Sequence, residues 1–253
     1  SLNENGTVVD YTDGQEVINL KSTDGDTINL YAIFERTIKI YSGESSANIT
    51  TRTQYLNPYL ISNLTEITLP PVPTIITNWA RQGYRTDKSA SAPTYAIKEN
   101  TNICPEYNGP TEFYAIYKRT VTLDFKSANE SIYDVKTTDA GETLPDSVKK
   151  DQYYNSSGSI SKCTYTLPSS GMGRPRFIFD KWNTNSTASG TSYQEGATFT
   201  WTPNVSATPS KNIYAIYAIA QNARTKAYYT TINNAIRLTD RKSGSAGMPR
   251  PIS

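Results

Sequence analysis

"EFYAIYKRTVTLDF", residues 112–125, is the stretch on which the reading of the whole chain turns. A Tyr-Ala-Ile-aromatic tetrad (114–117) runs, with no glycine or proline between, through Arg119-Thr120 into an alternation of Val121, Leu123 and Phe125. Alternation at period two puts one set of side chains on a buried face and the other in water, the signature of a half-buried strand. The same arrangement stands at "NLYAIFERTIKIY" (29–41), and the tetrad returns in "NIYAIYAIA" (212–220). Tyr31, Tyr114 and Tyr214 are therefore repeat positions.

Working outward, each tetrad has another tyrosine at a nearly constant distance upstream: Tyr11 before Tyr31, Tyr95 before Tyr114 and Tyr193 before Tyr214. "QYLN" (54–57) and "QYYN" (152–155) lead into "TLP" at 68–70 and 166–168, with the same offset at both ends of the match. Internal repetition of this kind defines modules. The expected organisation is a partial repeat at 1–34, a full module at 35–118, a longer module at 119–220 and a basic tail at 221–253. "EVINL" (16–20) and "TINLYAIF" (27–34) flank "TDG" and read as a hairpin, with Asn108-Gly109 and Pro209-Ser210 at the equivalent turns. At both junctions the closing strand passes directly into the next, without the Gly/Ser richness of a flexible linker. Helical signal is confined to "DSVKK" (146–150) and to "TTINNAIRLTD" (230–240), where Ile232, Ala235 and Ile236 share a face.

Composition agrees with a mainly β chain. Tyrosine contributes 19 residues against 6 Phe and 3 Trp, and charged residues are 19% of the chain. Aromatic and β-branched residues favour strands with hydrated outer faces. Net charge is +2, but six Lys/Arg face a single Asp in 221–253, so the segment 1–220 is mildly acidic. An acidic body lacks the concentrated cationic charge that phosphate backbones require, and nucleic acid is not expected as a partner. No run of apolar residues is long enough to span a bilayer, so no membrane insertion is expected. A secretory signal is missing at Ser1, and the chain reads as a fragment whose targeting segment lies elsewhere.

The third segment carries a resemblance. "FIFDKWNTNSTASGTSYQEGATFTW" (177–201) followed by "NIYAIY" (212–217) resembles the Listeria–Bacteroides repeat, the B-repeat of internalin-type surface proteins. Phe177, Phe179, Trp182, Tyr193, Gly196, Ile213, Tyr214 and Ala215 sit at matching positions. In the second segment the match is carried by Trp79, Tyr95 and "FYAIY", with Thr74 and Ile76 for the aromatic pair and Asn78 or Lys181 for the glycine before Trp. The resemblance implies one small β-grasp-like module per repeat, joined by continuous strands, in a secreted or cell-wall-anchored bacterial protein. It also implies an adhesion or spacer function.

The residues offer little for chemistry. The chain contains no histidine, which removes the commonest general base, the Ser-His triad and most zinc sites. Cys104 and Cys163 are too few for a structural zinc site, and pairing between them is the alternative to two free thiols. Asp13, Asp24, Asp26, Asp180 and Glu195 lie mostly in turns, where carboxylates accept from backbone amides, and a glycosidase pair facing across a cleft is not evident. "DGD" (24–26) lacks the remainder of a calcium loop, and "SSGMG" (169–173) lacks the lysine and helix of a phosphate loop. No catalytic residue, metal or cofactor is assigned. The opposing reading is a carbohydrate-binding module attached to an enzyme, with Trp201, Tyr153, Tyr154, Tyr228 and Tyr229 as stacking platforms for a host or cell-wall glycan. Trp182, Phe177 and Phe179 are expected in the core.

Overall fold

A computed structural model describes residues 1–3, 9–18, 20, 25, 27–43, 48–56, 64–74, 78–93, 96–106, 108–133, 141–221 and 228–229. The fold is mainly β, and among the described residues the helical content is one 3-10 turn at Glu130–Ile132. The chain forms two compact units. One is Ser1–Arg119 with Gln152–Ser161 and Asn204–Ser206; the other is Thr120–Asp151, Lys162–Pro203 and Ala207–Ser253. The segments 152–161 and 204–206, expected in the module at 119–220, thus pack with the first unit.

In the first unit, β1 (Phe34–Tyr41) is antiparallel to β2 (Ile49–Leu56). Ile38 and Ile40 of β1 are fully buried while Glu35, Thr37 and Lys39 are exposed, as period two requires. β3 (Ile67–Thr68) pairs with β5 (Asn102–Ile103), and β4 (Ala80–Arg85) pairs with β6 (Glu112–Ser127). The N-terminal half of β6 is parallel to β1, with Tyr114 opposite Tyr41, so it is central, with neighbours on both sides. Phe113, Tyr114, Ala115, Ile116 and Tyr117 are all buried. That explains the tetrad: a strand covered on both faces needs a continuous apolar run, whereas the half that follows alternates.

The second unit has the same connectivity. The C-terminal half of β6 is its first strand, paired with β7 (Val148–Asn155). β8 (Cys163–Thr166) pairs with β11 (Thr198–Trp201), and β9 (Ile178–Asn183) pairs with β10 (Ser192–Tyr193) and β12 (Ser210–Ala218). β12 is parallel to β6. A two-stranded ladder of β13 (Ala220–Gln221) and β14 (Tyr228–Tyr229) follows. The correspondence extends to a bulge. Gln82 is the extra residue between Arg81, opposite Tyr117, and Gly83, opposite Ile116; Asp180 is the extra residue between Phe179, opposite Tyr217, and Lys181, opposite Ile216. The ladder to the first strand is slipped by two positions between the units, Ile40 facing Phe113 in one and Phe125 facing Ile213 in the other. A slip of two keeps the same face inward.

Two cores result. Ile38, Ile40, Leu69, Tyr84, Phe113, Ala115 and Tyr117 fill the first, and Val121, Leu123, Leu167, Trp182, Ile213, Ala215 and Tyr217 hold the corresponding places in the second. The turn before the next-to-last strand, β5 or β11, also recurs: Asn100 N–H donates to Leu69 O and Gly196 N–H to Leu167 O, at 2.9 and 3.0 Å. Both residues are left-handed, at φ +57° and +71°. Asparagine tolerates that conformation better than other residues with a Cβ.

Several expectations are corrected. "DSVKK" is not helical: β7 begins at Val148, and pairing with β6 overrides its local preference. The hairpin around "TDG" is not formed among the described residues, where strand begins only at Phe34. Tyr31 instead exchanges backbone bonds with Ser1, at 2.9 and 2.7 Å. Alternation makes a strand only where a neighbour completes its ladder, as β1 and β4 do for the second tetrad and β6 and β9 for the third. Asn108-Gly109 is not a hairpin turn either, since β5 pairs back to β3 and β6 runs parallel to β1. Residues 230–240 and Tyr95 lie outside the described residues.

Candidate functional site

The arginine that follows each of the first two tetrads anchors a polar cluster. Arg119 is 4% exposed. Its Nε donates to Gln152 Oε1 at 2.8 Å, Nη2 to Asn204 O at 2.8 Å and Nη1 to Val205 O at 3.1 Å. Gln152 in turn donates to Ser161 O at 3.1 Å, and Ser161 Oγ accepts from Tyr153 N–H at 2.7 Å. The guanidinium lies 4.4 Å from the ring of Trp79, whose Nε1–H donates to Val205 O at 3.0 Å. Tyr154 closes the cluster, 6.0 Å edge-on to Trp79 and 6.1 Å from Tyr117. A planar guanidinium serves several carbonyls in its own plane while offering its face to an aromatic ring.

Arg36, at the equivalent place after the first tetrad, repeats the arrangement. Its Nε donates to Gln54 Oε1 at 2.8 Å, Nη2 to Pro105 O and Glu106 O at 2.9 and 2.7 Å, and Nη1 to Gly109 O at 3.3 Å. Gln54 donates to Thr65 O, and Thr65 Oγ1 accepts from Tyr55 N–H. Beside Arg36 is an open cleft of about 210 Å³ lined by Phe34, Glu35, Arg36, Gln54, Leu56 and Leu64.

In the second unit an arginine also covers an aromatic. Arg174, 8% exposed, lies 5.1 Å from the Phe177 ring and 5.2 Å from that of Tyr133. It pairs with Glu130 at 3.0 Å and Glu142 at 3.9 Å.

These positions revise the residue correspondence read from tryptophan identity. Ala80 faces Lys118 and Ile178 faces Ala218, so Trp79 is level with Phe177. Trp182, fully buried, has Tyr84 as its counterpart, opposite Ala215 and Ala115 respectively. Tyr193 pairs with Trp182, and Ile97 bridges Tyr84. The glycine before the aromatic is then Gly83, at φ +105°, where an added Cβ would sit 2.5 Å from Ile97 O. The position opposite the tetrad alanine decides the match, and Trp79, also buried in the first core, takes a different place, against Arg119.

The stacking candidates fare differently. Tyr154 is corrected to a core residue, 2% exposed and held between Trp79 and Tyr117. Trp201 is half-buried, opposite Cys163 and packed against the second core. Tyr153 is half-buried, and Tyr228 and Tyr229 form β14. Tyr114 is buried, while Tyr31 and Tyr214 are half-buried. A pair that sequence reading missed is Tyr41 on Tyr114, stacked at 4.7 Å with planes 16° apart, brought together by the parallel register.

Glu112 accepts from the Tyr114 and Tyr41 hydroxyls at 2.5 and 3.0 Å. Those bonds, Tyr114 first, hold its carboxyl below the ordinary glutamate range. Burial pushes the Tyr114 hydroxyl up, with Glu112 adding to it. A carboxylate stabilised in its charged form with both oxygens occupied is a poor proton donor. Of the turn acids, Asp13 and Glu195 are exposed, Asp180 lies 3.3 Å from Lys181, and Asp24 and Asp26 fall outside the described residues. Cys104 and Cys163 are both free thiols, the first exposed and the second buried. Among the described residues no helix is long and apolar enough to cross a membrane. No protein-family model, curated protein or solved structure matches the chain.

Proposed function

We propose that the chain is a tandem run of β-grasp-like modules and serves as a non-catalytic spacer or adhesion region of a secreted or wall-anchored bacterial protein. The observation that carries this reading is that β6 is at once the closing strand of one unit and the opening strand of an identically connected second unit. Repetition of one connectivity along the chain is what a stalk needs and an enzyme cleft does not. The recurrent bulge, left-handed turn and Arg-Gln cluster support the same reading. Ligands of such a region would be host or cell-wall glycan or protein, met at loops and tyrosine edges.

The test pairs small-angle scattering of the purified chain with a polysaccharide-binding panel. An elongated scattering profile and no saturable binding are expected. Saturable glycan binding abolished by Trp201→Ala would replace the spacer reading with a carbohydrate-binding module, and hydrolysis of any glycan would overturn the non-catalytic assignment.

A further inference from the structure

The cleft beside Arg36 has a filled counterpart in the same unit. Phe34, Glu35 and Arg36 correspond to Tyr117, Lys118 and Arg119, in step along the two tetrad strands. Gln54 and Leu56 correspond in the same way to Gln152 and Tyr154. Leu64 corresponds to Ile160, because Thr65 and Ser161 receive the same bonds from the neighbouring strand and its glutamine. Of the lining residues, Phe34, Leu56 and Leu64 have their equivalents Tyr117, Tyr154 and Ile160 in the group gathered around Trp79, and those of Arg36 and Gln54 bond to each other beside it. There the guanidinium lies over the indole ring, 4.4 Å from its centroid, and the indole N–H reaches the carbonyl that also accepts from Arg119 Nη1. Gly109 O accepts from Arg36 Nη1 in the same way.

The rim of the cleft is apolar and open. Phe34 is 57% exposed, and a second opening that it also lines holds the exposed Val9 and Leu30. Contiguous exposed apolar surface marks an interaction site more often than singly scattered residues do. Both aromatic side chains of this chain that hold the equivalent position are already engaged, Trp79 by Arg119 and Phe177 by Arg174.

We propose that this cleft is a docking seat for the aromatic side chain, an indole by preference, at the Trp79 position of another module of this kind. The inference rests on the modular reading above and extends it by naming the surface and the chemistry through which one further module attaches. The indole ring covers Arg36, packs against Phe34 and Leu56, and donates its N–H to Gly109 O.

The test uses the full chain, isotope-labelled, with N-acetyl-tryptophanamide as the probe and amide chemical shifts as the readout. Shifts concentrated at Phe34, Arg36, Gln54, Leu56 and Gly109 and saturating at millimolar probe are expected. N-acetyl-leucinamide should bind at least fivefold more weakly, because it offers neither a π-face nor an N–H donor on a flat ring. Phe34→Ala, an exposed position whose replacement leaves the remaining spectrum in place, should weaken tryptophanamide binding at least fivefold. Scattered shifts, equal binding of the two amides, or a soluble oligosaccharide moving the same amides more strongly would each overturn the proposal. Cross-strand Overhauser contacts recorded on the same labelled sample report the pairing of β6 independently: intact register with no cleft binding defeats the docking seat alone, whereas lost register defeats the modular reading.

Discussion

Arg119→Ala should unfold the first unit far more readily than any surface change, and the size of the effect follows from the cluster. The variant removes three donors from acceptors at 2.8, 2.8 and 3.1 Å. Val205 O keeps the Trp79 N–H, while Asn204 O and Gln152 Oε1 lose the Arg119 donors, at about 1–3 kcal/mol each. Loss of the desolvated guanidinium–indole contact adds about 2 kcal/mol. Against this, the variant no longer has to bury a cation, which returns part of the loss and leaves a net destabilisation of about 3–5 kcal/mol. With a urea slope of roughly 2 kcal/mol/M for a unit of this size, the midpoint should fall by about 2 M. Tryptophan fluorescence gives the transition, and hydrogen exchange should locate the loosening at β4 and at residues 152–161. Arg119→Lys should recover less than half, since an ammonium cannot serve three acceptors from one planar fork. The equivalent Arg36→Ala should cost about 1–2 kcal/mol, because Arg36 is half-buried and water reaches Glu106 O. A midpoint shift under about 0.3 M for Arg119→Ala, or equal losses for the two arginines, would refute the reasoning.

Four further outcomes are expected. Gly83→Ala should destabilise by about 2 kcal/mol or more in urea melts, because φ is +105° and the new Cβ meets a backbone oxygen at 2.5 Å; a neutral result would exclude this bulge geometry. Asn100→Gly should be neutral or slightly stabilising and Asn100→Ala should lose about 1 kcal/mol, the reverse order being incompatible with a left-handed turn. A thiol reagent should label one cysteine in the native chain and both in denaturant, and mass mapping should place the native label on Cys104 rather than Cys163. Burial raises the hydroxyl pKa values of Tyr84, Tyr114, Tyr165 and Tyr217. Their contribution to stability is complete below about pH 10, the unfolded tyrosine value, and is lost as pH rises through the higher folded values. Absorbance at high pH should show a late class of tyrosines ionising together with loss of circular dichroism, not all 19 titrating with the fold intact.

The mainly β architecture was legible because the alternation in "RTIKIY" and "RTVTLDF" reports a one-sided strand directly. Tetrad spacing also pointed to the two strands that prove central, at 112–117 and 212–217. Residue correspondence was less legible. Tryptophan identity drew Trp79 toward Trp182, but the place opposite Ala115 is filled by Tyr84, and no local pattern tells which of two buried aromatics takes that place. "DSVKK" misled for a related reason, since its polar residues favour helix until a neighbouring strand supplies a ladder. The Arg-Gln cluster joins positions far apart in the chain, Arg119 with Gln152 and with Asn204 and Val205, so Arg-Thr after the tetrad was visible as a motif while its partners were not. Tyr154 looked like half of an exposed doublet; pleating turns it inward and leaves Tyr153 nearer the surface.

The most direct measurement is a map of cross-strand nuclear Overhauser effects along β6 and β12. The account predicts antiparallel contacts of Ala115 with Tyr84 and of Ala215 with Trp182, an extra residue at Gln82 and at Asp180, and parallel contacts of Tyr41 with Tyr114 and of Phe125 with Ile213. Contacts instead joining β6 to β5 as a hairpin, or a bulge in only one of the two copies, would contradict it.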